Sequence, residues 1–195
     1  MKRSYFVYLL LFLFSVSLKA EDGKLSACPD GFPITISYFG EMFTHPGIIA
    51  GCELGLVSGS GHSLFTTLNL GSYIHRRNHI PVFAAAELGY RYTFNSGFNL
   101  HVLAGAGYFH KFLDAPIFSL SDGGPVEIPN TGSPHLMVSA SLGLGWNLSK
   151  KSSVPLDLFL RAQVFGEYPF NSYILLHPVL QLGTRIFLEE GKNEK

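Results

Sequence analysis

The sequence predicts an all-β fold, a closed antiparallel eight-stranded transmembrane β-barrel, and three observations carry this prediction. First, about eight stretches of roughly ten residues alternate between apolar and small or polar side chains, with turn residues between them. Second, the apolar set is large and almost continuous, whereas the opposite set is small and polar, as in strands whose outer face meets lipid. Third, the strands follow an apparent export signal.

The composition agrees with a membrane protein and argues against other classes. Only 14% of the 195 residues are charged and 47% are hydrophobic, whereas soluble domains carry about 25% charged residues. The 17 Phe and 9 Tyr are more aromatic residues than a disordered chain would contain. Because 14 basic residues balance 14 acidic ones, there is no basic excess that would indicate nucleic-acid binding.

The first twenty residues are typical of a secretory signal peptide. Two basic residues at 2–3 precede an apolar run over 5–18, and Ala20 is followed by acidic residues. This run is shorter than the roughly 20 residues that a membrane-spanning helix needs, which disfavours an uncleaved anchor. We therefore predict a signal peptide over 1–20 and a periplasmic segment over 21–33.

Both cysteines are expected to be free thiols. Residues 25–28 look like the lipidation box of bacterial lipoproteins, but the charged stretch 19–24 separates them from the apolar run, so we interpret the likeness as coincidence. An oxidising periplasm would permit a disulfide between Cys28 and Cys52. However, Cys52 is expected in the middle of a strand, far from Cys28 at the periplasmic side.

The strands occupy a barrel domain over 34–188, which a polar tail over 189–195 follows. The predicted strands are 34–43, 48–57, 64–74, 82–94, 98–112, 135–148, 156–167 and a last strand that starts after Tyr173 and ends at Leu188.

In bacterial barrels the longer loops are extracellular and the short turns are periplasmic. The long connection 113–134 is the fifth and would be extracellular, and the tight turn 95–97 is the fourth and would be periplasmic. Aromatic residues expected at the periplasmic rim are Tyr92, Phe94, Phe98 and Trp146.

The polar face of the strands carries charged residues that are expected inside the barrel. These interior charges are Glu41, Glu53, Glu87, Arg91, Asp157, Arg161 and Arg185. The interior of an eight-stranded barrel is just wide enough for side chains to fill it. An unpaired ion in that narrow space would be costly, so we expect the charges to pair and to plug the barrel.

The last strand resembles the carboxy-terminal assembly signal of bacterial outer-membrane proteins. The four positions of that pattern are filled by Gln181, Gly183, Ile186 and Leu188. The resemblance implies the barrel-assembly machinery as a partner, although the family usually ends at an aromatic residue and this chain adds the polar tail. The chain thus looks like a small barrel of the OmpA/OmpX type. That likeness implies a Gram-negative cell envelope, with outer-membrane lipids and lipopolysaccharide as neighbours.

Three functions remain open on this fold. The first is a structural or surface-interaction role for a plugged barrel. The second is a lipid-modifying enzyme, similar to lipid A deacylases. The third is a narrow channel or small-ligand carrier that uses the space beside inward glycines such as Gly105 and Gly143.

The sequence offers little support for catalysis or for cofactors. The deacylase family carries a His-x-Ser pair, but none of the eight His here has a Ser two residues later. His110 remains the best candidate for a base, and we name no catalytic residue. The spacing of the histidines shows no metal-ligand cluster, and we expect no cofactor. Residues 75–79 form a basic tip that would be extracellular and could contact lipopolysaccharide phosphate.

Overall fold

Eight strands close into an antiparallel barrel, as the sequence predicts. The computed structural model describes residues 33–121, 123–171 and 173–188. The strands are β1 (Ile34–Glu41), β2 (His45–Gly59), β3 (His62–Tyr73), β4 (His79–Thr93), β5 (Phe98–Leu113), β6 (Ile117–Ser121), β7 (Gly124–Ile128), β8 (Ser133–Asn147), β9 (Leu156–Phe170) and β10 (Tyr173–Ile186). The order around the ring is β1-β10-β9-β8-β5-β4-β3-β2, and β6 and β7 form a separate two-stranded sheet.

Several predicted segments lie outside the described residues. These are the signal peptide over 1–20, nearly all of the segment 21–33, and the tail 189–195, together with Cys28. Cys52 is a free cysteine. Among the described residues, no helix has the length and apolar character to cross a bilayer.

The two ends of the barrel differ, and we name them by their connections. The loop end carries connections 42–44, 74–78 and 114–132 and the turn after β9, whereas the turn end carries 60–61, 94–97 and 148–155. The long connection 114–132 contains the β6–β7 hairpin, which the sequence pattern did not indicate. By the predicted orientation, the loop end faces the cell exterior.

Along most of each strand, side chains alternate between the outside and the inside of the ring. In β4, for example, Leu88 is exposed while Glu87 on the opposite face is buried. Leu142 in β8 is 62% exposed, although a soluble protein would bury such a side chain. An apolar outer face with polar residues inside is the pattern of a barrel in lipid.

Most strands extend beyond their predicted bounds because backbone pairing continues past the apolar band. β2 begins at His45 rather than at Ile48, and β4 begins at His79 rather than near Val82. At the turn end, Gly59 pairs with His62, which leaves only Ser60 and Gly61 in a turn predicted over 58–63. Hydrophobic alternation marks the lipid-facing part of a strand, not its full length.

The interior is divided into an aromatic half and a polar half. The cluster nearer the loop end, which we call the aromatic layer, consists of Phe39, Ile49, Tyr73, Phe83, Phe109, Met137, Phe165 and Val179. The expectation of an interior plugged by polar side chains is therefore wrong for this half. Large apolar residues at inward positions interrupt the alternation of apolar and polar side chains, which is why the sequence pattern did not reveal them.

A glycine in β4 gives a direct test of this packing. Replacing Gly89 with alanine is expected to lower the free energy of unfolding by about 1–3 kcal/mol, the usual cost of overpacking. The new Cβ would lie 3.0 Å or less from three ring atoms of Phe65. The matched control is Gly59→Ala, because no atom lies within 4 Å of the Cβ at that position.

Urea unfolding in lipid vesicles, followed by the fluorescence of the single Trp, measures both changes. Equal stability of the Gly89 and Gly59 variants would contradict the packing described for Phe65.

Candidate functional site

A network of ion pairs fills the polar half of the barrel interior. Arg91 of β4 donates two hydrogen bonds to Glu53 of β2, with Nη1–Oε1 at 2.8 Å and Nη2–Oε2 at 2.7 Å. Arg185 of β10 donates to Glu53 Oε2 at 3.0 Å and also pairs with Asp157 of β9. All four groups are buried. Because they come from four strands, the network joins opposite walls of the barrel.

Neutral side chains extend this network towards the middle of the barrel. Glu87 accepts hydrogen bonds from Asn69 Nδ2 at 3.0 Å, Ser139 Oγ at 2.7 Å and Gln163 Nε2 at 3.1 Å. Gln163 in turn accepts from Gln181. Three donors satisfy a buried carboxylate without a direct cation partner.

Arg161 of β9 lies beside the ion pairs in the polar half. Its Nη1 lies 3.4 Å from Gln181 Oε1, and its guanidinium lies 4.9 Å from the centre of the Phe159 ring. A cavity of about 10 Å³ lies beside it. The cavity is lined by Thr35, Glu53, Arg91, His101, Phe159, Arg161 and Arg185. This volume holds about one water molecule.

A second polar group lies above the aromatic layer, at the loop end. We call it the mouth cluster, and it is built around two buried carboxylates, Glu41 and Glu167. Glu41 accepts a hydrogen bond from His177 Nδ1 at 2.7 Å on Oε1, and His45 Nδ1 contacts its Oε2. Each of these side chains comes from a different strand, and only a short turn separates Glu41 of β1 from His45 of β2.

Glu167 of β9 is the second centre of the mouth cluster. Its Oε1 pairs with Lys111 Nζ and lies 3.2 Å from His135 Nδ1, and its Oε2 lies 3.4 Å from His177 Nε2. His177 therefore lies between the two carboxylates. The cluster places several basic groups around two acids where the barrel opens to solvent.

The connection between β3 and β4 brings two further histidines to this end. The prediction of an exposed basic tip over 75–79 is wrong for His79, which is buried and whose Nε2 lies 3.4 Å from the Tyr73 hydroxyl. His75 stacks on His45, with ring centres 3.7 Å apart. Burial, and then the charge that His45 can carry, lower the pKa of His75 below its ordinary value. Arg76 and Arg77 are exposed.

The seven charges singled out from the sequence are all buried inside the ring. They are Glu41, Glu53, Glu87, Arg91, Asp157, Arg161 and Arg185. The fold separates them, because Glu41 lies in the mouth cluster and the other six lie in the polar half. Sequence reasoning missed Lys111, Glu167 and His177 as interior groups. The alternation does place Glu167 on the same face as Gln163, and this signal could have found it.

The residues of the assembly signal lie in the last strand and just beyond its end. Gln181 and Gly183 point inward, and a Cβ on Gly183 would lie 2.6 Å from the Phe159 ring and 2.7 Å from the Ile36 carbonyl oxygen. Ile186 ends β10, and Leu188 lies beyond it with an exposed side chain. Gly183 is thus required by packing inside the barrel, whatever recognises the signal.

His110, the candidate base, has both ring nitrogens engaged. Its Nδ1 lies 2.7 Å from the Tyr108 hydroxyl, and its Nε2 lies 3.0 Å from the carbonyl oxygen of Thr131. These contacts leave neither ring nitrogen directed at a serine hydroxyl, as a base that activates a nucleophile would be.

Comparison with solved structures identifies the fold. Neisserial surface protein A superposes with a TM-score of 0.50 at 10% sequence identity, over 80% of this chain and 96% of that chain. This chain has the fold of the small bacterial outer-membrane β-barrels. The outer-membrane enzyme PagL (TM-score 0.49, 11% identity, 80% of this chain and 99% of that chain) also aligns. So does the attachment invasion locus protein Ail of Yersinia pestis (0.48, 12%, 80% and 97%).

At these identities the likeness concerns the fold of an outer-membrane barrel and not its role. The sequence matches no protein-family model and no curated protein.

Proposed function

We propose that this protein is an integral barrel of the bacterial outer membrane, closed to solutes, with a structural or surface-interaction role. The observation that carries the proposal is the filled interior. The aromatic layer packs above an ionic network whose cavity has a volume of about 10 Å³. A barrel with this interior has no space for transport, so its function lies in its outer surface and its loop end.

The inward glycines also support a closed barrel. At Gly143 a Cβ would lie 2.8 Å from Cε1 of the His101 ring, and at Gly145 it would lie 2.8 Å from Asn99 Oδ1. Neighbouring side chains therefore already occupy the space that these glycines leave. This packing disfavours the alternative of a narrow channel or small-ligand carrier.

The β6–β7 hairpin at the loop end supports a surface role. It projects from the ring as a separate two-stranded sheet, and Leu120 on it is 90% exposed. Phe118 and Val126 are also exposed. Exposed apolar groups of this kind are typical of surfaces that contact another molecule. Lipopolysaccharide is the partner we propose, with its phosphates meeting the guanidinium groups of Arg76 and Arg77.

Conductance across planar lipid bilayers tests the closed interior. We expect no stepwise ion current after insertion of the folded protein, while a general porin in the same bilayer provides the positive control. Folding is checked by the faster gel migration of unboiled protein from outer-membrane fractions. Discrete current steps from folded protein would overturn the proposal and favour a narrow channel.

Mass spectrometry of lipid A addresses the enzymatic alternative. We expect the same lipid A species from cells with and without the protein. A loss of acyl chains that depends on the protein would overturn the proposed role and would make His110 the first residue to replace.

A further inference from the structure

We propose that the loop end of the barrel binds a divalent transition-metal ion of the zinc class through Glu41, His45 and His75. One ligand atom from each of these side chains lies within 4.8 Å of the other two. The site lies at the loop end, outside the aromatic layer and the ionic network, so this proposal does not depend on the proposed closed interior.

The donor set indicates the kind of metal. Two imidazole nitrogens and one carboxylate oxygen are ligands that Zn²⁺ uses, often with a fourth position left to water. Imidazole also suits Cu²⁺ and Ni²⁺, whereas Ca²⁺ and Mg²⁺ prefer sites made of oxygen. Zinc bonds of about 2.0–2.1 Å place tetrahedral ligand atoms roughly 3.3 Å apart. In the metal-free arrangement the ligand atoms lie up to 4.8 Å apart, so the side chains must move closer together to hold the ion.

The surroundings hold the carboxylate ligand in place. Glu41 is buried, and its Oε1 accepts a hydrogen bond from His177 Nδ1 at 2.7 Å. Its Oε2 remains directed at His45. Such outer hydrogen bonds orient the ligands of metal sites and contribute to their affinity.

The backbone also fixes the position of His75. His75 and His79 exchange hydrogen bonds between their N–H and carbonyl groups, each 3.1 Å long. Asp114 ties the same turn to the end of β5, with its N–H donating to the Asn78 carbonyl at 2.9 Å and its Oδ2 accepting from the Arg77 N–H at 3.2 Å. A ligand on a turn with these restraints loses little conformational freedom when it binds a metal.

Solvent can reach the site. The His45 side chain is 18% exposed and His75 is partly exposed, while Glu41 lies beneath them. Among the described residues, His75 makes ring contacts with His45 and His79 but its side chain forms no hydrogen bond. An imidazole without such a partner is available to a metal ion that arrives from the loop end.

Isothermal titration calorimetry of the tag-free, folded protein with ZnCl₂ in detergent tests the proposal. We expect one Zn²⁺ per chain and no heat of binding with MgCl₂ or CaCl₂. His45→Ala and His75→Ala should each weaken zinc binding by about 10- to 100-fold. The matched control is His110→Ala, which removes another partly exposed histidine at the same end and should leave zinc affinity unchanged.

Heat-modifiable gel mobility verifies that each variant is folded. His75→Ala decides the question if His45→Ala fails to fold, since His75 lies in a connection outside the named strands. An absence of zinc binding by the wild-type protein would overturn the proposal, as would unchanged affinity in a folded His75→Ala variant. Both results would leave the closed barrel intact, whereas ion conductance would contradict the closed barrel and leave the metal site untouched.

Discussion

Replacing Glu53 with glutamine is expected to lower the free energy of unfolding by about 3–5 kcal/mol, the typical cost of breaking a buried ion pair by removing one partner. Glu53 is the acidic partner of both Arg91 and Arg185, and all three side chains are buried. The amide would leave Arg91 without a counter-ion and Arg185 with Asp157 alone. Equilibrium unfolding by urea in lipid vesicles measures the loss.

Two further variants separate the charge effect from a general sensitivity of the barrel. Glu127→Gln makes the same chemical change on the exposed β7 strand and should leave stability unchanged. The double variant Glu53→Gln with Arg91→Met removes a base together with the acid, so it should be more stable than Glu53→Gln alone. If the double variant were less stable than the single one, charge pairing would not explain the cost.

Replacing Leu142 with arginine is expected to lower the free energy of unfolding by about 2–4 kcal/mol, the cost of a basic residue near the bilayer midplane. Leu142 points outward from the middle part of β8, where it is paired with Val102 and Ala162. The guanidinium would therefore enter hydrocarbon. Unfolding in vesicles of defined thickness measures this change.

Leu120→Arg provides the matched control for Leu142→Arg. The same substitution in the β6–β7 hairpin places the charge at a position that is already 90% exposed and outside the ring, so stability should not change. Ser141→Ala, on the inward face beside Leu142, should also cost much less. Equal losses for Leu142→Arg and Leu120→Arg would refute the assignment of the lipid-facing side.

The sequence predicts the barrel well because lipid imposes one simple rule on every strand. Outward positions must be apolar, so alternation survives in strands as different as β4 and β8. The inward charges follow from the same rule, and Glu53 and Arg185 lie buried where the alternation places them. What they pair with depends on the tilt and stagger of the strands, which alternation does not encode.

The aromatic layer and the mouth cluster could not be predicted for a different physical reason. An inward position accepts any side chain that its neighbours across the barrel can pack against, so Phe39 and Phe165 satisfy the fold as well as polar residues do. Glu41, His45 and His75 come together through two separate connections. Their spacing along the chain therefore carries no metal-ligand signature.

The pairing of β1 with β10 has a consequence for how the molecule is made. The seam joins Ile34 to Ile186, near opposite ends of the described chain. Until that seam forms, β1 and β10 each present an edge of unpaired backbone groups, which a hydrocarbon environment does not tolerate. The barrel is thus complete only when its last strand pairs with β1. Before that step, the unpaired edges make the inserted chain unstable in the membrane. An open edge between β1 and β10 therefore distinguishes an unfinished barrel from a finished one.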